Sequence, residues 1–172
     1  MLNTNLAGRL TLPAIANHHL LVEAALFDLF ASPDHAVLVQ YVGFSLDEVR
    51  GGALSELGHT SSLSLLACVE AALRVDYNLR VSARGRSPLS RALRDVFREK
   101  DEHARLDDDI LGAWKQHSTI GKPVISALIG AFKYRHWLAH GRYWPPKFGR
   151  TYDYLSVYAI ADTFLTAMAE VA

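Results

Sequence analysis

Between residues 122 and 140 the apolar side chains Ile125, Leu128, Ile129, Phe132 and Ala139 recur at helical spacing. That stripe predicts a helix of about five turns with one face turned to a core. Pro123 suits its first turn, and Gly141 followed by Pro145-Pro146 supplies the punctuation that ends a helix. Elsewhere helical periods dominate and strand alternation is scarce.

Residues 14–30 are apolar apart from Asn17, His18, His19, Glu23 and Asp28, and read as a largely buried first helix that stops at Ser32-Pro33. Adjacent His18 and His19 point to different sides of it and need no ligand. Residues 34–58 read as a peripheral insertion: 37–42 fits a short helix or a strand, Ser45 and Glu48 have capping-box spacing, and Gly51-Gly52 interrupts the piece. From His59-Thr60-Ser61 a helix runs to about Ser82, with Leu66, Val69, Leu73 and Tyr77 on one side. Ser87 caps and Pro88 opens a charged peripheral helix over 89–105. Asp107-Asp108-Asp109 opens a short helix through Trp114, and 153–171 forms the last. The expected fold class is all-α: residues 1–172 as one bundle of five to seven helices, packed mainly antiparallel.

At 172 residues, half of them apolar, the chain can bury one proper core. Its single cysteine, Cys68, excludes an internal disulfide and suits a reducing cytoplasm. No basic stretch followed by an apolar one opens the chain, and no apolar run approaches the ~20 residues of a membrane span. A cytoplasmic protein with no membrane partner is expected.

Charge is balanced overall, with 18 basic and 18 acidic residues, but not regionally. Residues 110–152 hold Lys115, Lys122, Lys133, Arg135, Arg142, Lys147 and Arg150 and no acid. Interleaved with Tyr134, Trp137, Tyr143, Trp144 and Phe148, this is the composition of a surface that holds phosphates and stacks bases. The bland alternative is a solvated face beside a small aromatic core, with Trp137 and Trp144 as packing anchors. At roughly 100° per residue His136 falls inside the apolar stripe, while Arg135 and His140 flank it. All three are thereby expected to approach one cleft at a helix C-terminus, where unpaired carbonyls favour cationic histidine.

Arg135, His136 and His140, within Arg135-His136-Trp137-Leu138-Ala139-His140-Gly141, form an R-x4-H pattern that resembles the active-site motif of the HEPN family. Members are helical bundles of about this size, with the motif near the end of a late helix and a further helix after it. The resemblance implies a metal-independent endoribonuclease, a toxin or phage-defence component, that uses the RNA 2′-hydroxyl to leave a 2′,3′-cyclic phosphate. It implies His140 as general base or acid, Arg135 as phosphate stabiliser and His136 as an orienting or second proton-transfer group. Lys133, Arg142, Tyr143, Lys147 and Arg150 would contact RNA. Family members usually pair through this helix, which implies a homodimer through residues 122–140, and a protein antitoxin is a further implied partner. Some HEPN toxins carry a modifiable tyrosine two residues after the motif histidine; here that position is Arg142, with Tyr143 one further on.

Other readings stand beside this one. His136 on an apolar stripe is by default a core histidine bonded to a carbonyl. His136 and His140 also have the i, i+4 spacing of a helical metal pair, yet Trp137 occupies the place of the glutamate in H-E-x-x-H, so no metal or other cofactor is expected. Glu70 and Arg74 form an i, i+4 pair that bears on function only if their helix borders the same cleft. A catalytically silent RNA- or nucleotide-binding or dimerisation module is the main alternative, and a helical scaffold with no nucleic-acid role the blandest.

Overall fold

The computed structural model describes residues 10–171, and at Glu102 the backbone alone. All regular structure among the described residues is helical, so the all-α expectation holds. No helix among them is long and apolar enough to cross a membrane.

The first helix, α1 (Leu12–Phe30), begins where the Thr11 hydroxyl accepts the Ala14 N–H at 3.3 Å and Pro13 fills the first turn. It is not the buried helix its composition suggested. Only Leu12, Ile15 and His19 are buried, while Leu20, Leu21 and Phe27 are each more than half exposed. A helix at the edge of a bundle has a partner on one side only, whatever its sequence. A 3₁₀ turn, Ala36–Tyr41, follows, which settles 37–42 as helical rather than extended.

The next helix departs most from expectation. Instead of breaking at Gly51-Gly52 and restarting near His59, α2 runs unbroken over Leu46–Ala83, 38 residues, or about 57 Å at 1.5 Å per residue. Ser45 occupies its N-cap position, but its side chain makes no cap hydrogen bond, and Asp47 pairs with Arg50 at 2.9 Å instead. Glycine lowers helix propensity by about 1 kcal/mol relative to alanine without forbidding helix. Here the cost is offset by packing along α1.

Downstream, α3 (Pro88–Lys100) starts as expected, with the Ser87 hydroxyl accepting the Ser90 N–H at 3.1 Å. It stops earlier than 105 because Asp101 takes a left-handed φ of 52°. A 3₁₀ turn (Asp101–His103) and a π turn (Leu106–Ile110) then feed the short α4 (Leu111–His117). The Asp109 carboxylate accepts the Arg105 N–H at 2.7 Å and meets Lys100 at 3.3 Å, so the acidic triplet pins this connection. Then come α5 (Lys122–Ala139) and α6 (Tyr154–Val171). Asp153 caps α6 reciprocally: its carboxylate accepts the Ser156 N–H and its own N–H donates to the Ser156 hydroxyl.

The core gathers Leu65, Leu66, Val69 and Leu73 of α2 against Leu93, Leu111, Ile125, Leu128, Val157 and Phe164 from the other helices. Fully buried Trp114 packs edge-on against Phe164 at 5.8 Å, with the Arg80 guanidinium 5.4 Å from the indole centroid. Because α2 touches α1, α3, α5 and α6, it is the spine on which the motif helix is mounted.

A Cβ added at Gly51 or Gly52 would meet nothing within 4 Å. Gly52→Ala should therefore raise stability by about 0.4–1 kcal/mol in urea unfolding, through helix propensity and a less flexible unfolded chain. A loss of stability would mean that this turn is not helical in solution.

Candidate functional site at the end of α5

The buried face of α5 is made by Ile125, Leu128, Ala131, Phe132 and Tyr134. This rotates the helix relative to the expected stripe and reverses the motif. Arg135 lies on the side facing α2, where its Nη2 meets Glu70 Oε2 at 2.9 Å. Its Nε is buried with no hydrogen-bond partner. His136, Ala139 and His140 are exposed, with the two imidazole centroids 4.2 Å apart and the rings tilted by 50°. Arg135 and His140 point roughly 140° apart around the helix axis. The three groups therefore do not converge on one cleft within a protomer, and His136 is not a core histidine.

The reason lies in the segment after the helix. Tyr134 stacks on Tyr152 at 5.2 Å and on Trp137 at 5.9 Å, with Phe148 edge-on to it at 5.7 Å. Sequence periodicity counted Ala139 towards the stripe, but this aromatic cluster draws the buried face towards Tyr134 and Trp137. Gly130 makes the packing possible, since a Cβ there would run into the Tyr152 hydroxyl. Trp137 Nε1 donates to the Trp144 carbonyl at 2.8 Å, so these tryptophans do anchor the segment.

The helix closes on itself. The Gly141 N–H bonds the Leu138 carbonyl and the Arg142 N–H bonds the Trp137 carbonyl, the paired arrangement of a Schellman end. Gly141 has φ 75° and Arg142 φ 57°. The left-handed region is natural for glycine and costly for arginine, and the Arg142 side chain shows what holds it there. Its Nη1 lies 2.7 Å from Glu56 Oε2 and 2.6 Å from His59 Nδ1. An arginine has only donors, so in this contact His59 Nδ1 is the accepting atom. The hydrogen bond from Arg142 holds the Glu56 carboxyl below the usual glutamate range.

The basic block is thus acid-free in sequence but not in space: Glu70 claims Arg135 and Glu56 claims Arg142, both reaching across from α2. Arg150 lies over the Tyr152 ring at 5.2 Å, whereas Lys133 and Lys147 are exposed and Tyr143 stands out at 82% exposure, edge-on to Trp144. Of the expected RNA contacts, then, Lys133, Tyr143, Lys147 and Arg150 are presented outward and Arg142 is tied down. Lys147 and Arg150 share a cavity with the aromatic cluster, apart from the histidine pair. Among the described residues, no group of three or more His, Cys, Asp or Glu is placed to hold a metal ion.

Sequence reading missed Glu56, His59 and the cross-helix role of Glu70. The one available signal was the Glu70/Arg74 spacing. Glu70 does sit 3.6 Å from Arg74, which also donates to the Ala104 carbonyl, but its shorter contact is to Arg135.

The lowered Glu56 pKa gives a pH dependence. A depressed carboxylate contributes stability in full above its unfolded pKa and loses it as pH falls through the folded value. Acidification below the ordinary glutamate range should therefore release Arg142 and alter the intrinsic fluorescence of Trp137 and Trp144. In Glu56→Gln that acid transition should be missing. Superimposable titrations of the two proteins would contradict the anchoring role.

Compared with known proteins, the chain matches no protein-family model, no curated protein and no solved structure.

Proposed function

We propose that this chain is a metal-independent endoribonuclease of HEPN type, acting on RNA through His136 and His140. The observation that carries the reading is the exposed pair of imidazoles 4.2 Å apart at the closed end of α5. Histidine is the side chain suited to moving protons near neutral pH. One imidazole takes the proton of the RNA 2′-hydroxyl as that oxygen attacks the adjacent phosphorus. The bond from phosphorus to the 5′-oxygen breaks, and the other imidazole, entering protonated, delivers a proton to the departing oxygen. The products are a 2′,3′-cyclic phosphate and a 5′-hydroxyl.

Arg135 enters differently from the simplest version of the motif. With Nη2 held by Glu70, it keeps Nη1 for a phosphate oxygen, and it lies on another side of α5 from the histidines. Pairing of two copies through α5 would supply a second arginine and a second histidine pair to one cleft, and a homodimer is part of the proposal. Lys133, Tyr143, Lys147 and Arg150 are the groups to hold and stack the flanking nucleotides. A toxin or phage-defence role, with a protein antitoxin as partner, belongs to the same reading.

A second reading, a non-catalytic RNA- or nucleotide-binding module, is favoured by a specific observation: both motif-region arginines are already engaged by carboxylates of α2.

The purified protein should cut a mixed RNA pool in excess chelator, leaving 2′,3′-cyclic phosphate ends. His140→Ala should lower the rate by about 10²–10⁴-fold, the usual worth of a general acid or base, and His136→Ala should lower it as well. Absence of cleavage, with RNA retained at low salt and released at high salt, would replace the ribonuclease by the binding module.

A further inference from the structure

A cavity of about 410 Å³ opens between α1, α2 and the start of α6, within the roughly 300–1,000 Å³ usual for small-ligand sites. Its walls are of three kinds. Leu20, Leu54 and Leu155 make an aliphatic patch, His19 and Tyr154 are among the rings, and Glu23 and Asp153 are carboxylates. No lysine or arginine among the described residues lines it.

The two carboxylates are not equivalent. Asp153 caps α6, accepting the Ser156 N–H at 2.7 Å. Glu23 is half-buried and makes no hydrogen bond or ion pair among the described residues. Drawing such a group out of water costs free energy that an opposite charge returns. The arginines around the cavity do not supply it: Arg142 stands behind His59 and is taken by Glu56, and Arg150 lies over the Tyr152 ring on the side of another cavity.

The ring surface next to Glu23 is uncharged. Buried His19 bonds Ser61 through Nδ1 at 2.9 Å, and its ring lies parallel to Tyr154 at 3.6 Å. Burial holds this imidazole below its usual range, against an upward pull from Glu23. Burial also pushes the Tyr154 phenol up, with smaller contributions from Tyr158 and Glu23. Both rings thus lie in the field of the one carboxylate. A cation drawn to Glu23 meets aromatic surface beside it, which favours positive charge further.

An anion would be repelled by both carboxylates, and a neutral apolar molecule would leave Glu23 unanswered. We propose that this cavity binds a small primary amine in its protonated form, with the ammonium on Glu23 beside the His19–Tyr154 stack and an apolar body on Leu20, Leu54 and Leu155. A compact cation with three N–H donors can bond a carboxylate and still face the rings. The site includes neither His136 nor His140 and does not rest on the ribonuclease reading.

NMR titration of the isotope-labelled full chain with 2-phenylethylamine, 2-phenylethanol and 3-phenylpropionate tests it. The amine should bind saturably, shift the amide signals of residues 19–23, 54–59 and 152–155, and bind at least about tenfold more tightly than the alcohol. The carboxylate compound should not saturate. Glu23→Gln should bring the amine down to the level of the alcohol and leave the alcohol unchanged. Tyr154→Leu should weaken the amine several-fold, while Tyr154→Phe, which keeps the ring, should not. Nα-acetyllysine methylamide identifies the source: binding tighter than 2-phenylethylamine points to a lysine side chain, weaker binding to a free amine, and both support the site. No saturable amine binding, saturable shifts confined to other residues, an amine-to-alcohol ratio unmoved by Glu23→Gln, or equal binding of 3-phenylpropionate would overturn it. RNA cleavage without amine binding removes this site and leaves the ribonuclease, whereas amine binding without cleavage does the reverse.

Discussion

The ion pair between Glu70 and Arg135 is the contact on which the rest of this site depends, and the continuous α2 carries a second carboxylate, Glu56, that acts beside it. Glu56 and Glu70 lie four turns apart on that one helix, and they reach Arg142 and Arg135 in the opposite order along the chain. Two carboxylates on one rigid rod therefore lock α5 antiparallel to α2 and fix its rotation. Had the helix begun only near His59, as its sequence suggested, Glu56 would have lain outside the rod that carries Glu70. The partly shielded guanidinium of Arg135, with Nε already lacking a partner, also makes Glu70 hard to replace: removing one member of such a pair leaves a desolvated charge uncompensated.

From that rotation the character of the α5 end follows. The face holding Arg135 is drawn to α2, the face holding Tyr134 is covered by Tyr152 and Phe148, and the remaining arc presents Lys133, His136 and His140 outward. The histidine pair is thus exposed by packing on either side of it rather than by lack of structure. The Schellman closure and the Arg142 anchor then turn the following segment back over Trp137. Cations and aromatic rings are brought to the same end of the bundle by that return, which a basic run in an extended tail could not achieve.

Helix existence was legible in the sequence; helix rotation was not. Pro123, Gly141, Ser87-Pro88 and the apolar periods marked α3, α5 and α6 within a few residues of where they lie, because caps and prolines act locally. The continuity of α2 was hidden because two adjacent glycines weaken a helix locally, and the packing that outweighs them comes from α1. Burial of α1 was overestimated because composition reports how apolar a helix is, not how many neighbours it has. The motif residues were found, but their directions were set by Tyr152 meeting Gly130 and by Glu70, both outside the helix and invisible to its period. Likewise the acid-free block looked unneutralised only because its acids stand on α2, more than 60 residues earlier in the chain.

The most direct test of the central claim, that RNA lies across the end of α5, is photocrosslinking of 4-thiouridine-substituted single-stranded RNA to the protein, with the attached peptides mapped by mass spectrometry. Crosslinks should concentrate on residues 133–154, with Tyr143 and Trp144 foremost among them, and should fade as salt is raised. Crosslinks confined to α1 or α3, or none above the background of an unrelated protein, would contradict the assignment of this surface to RNA.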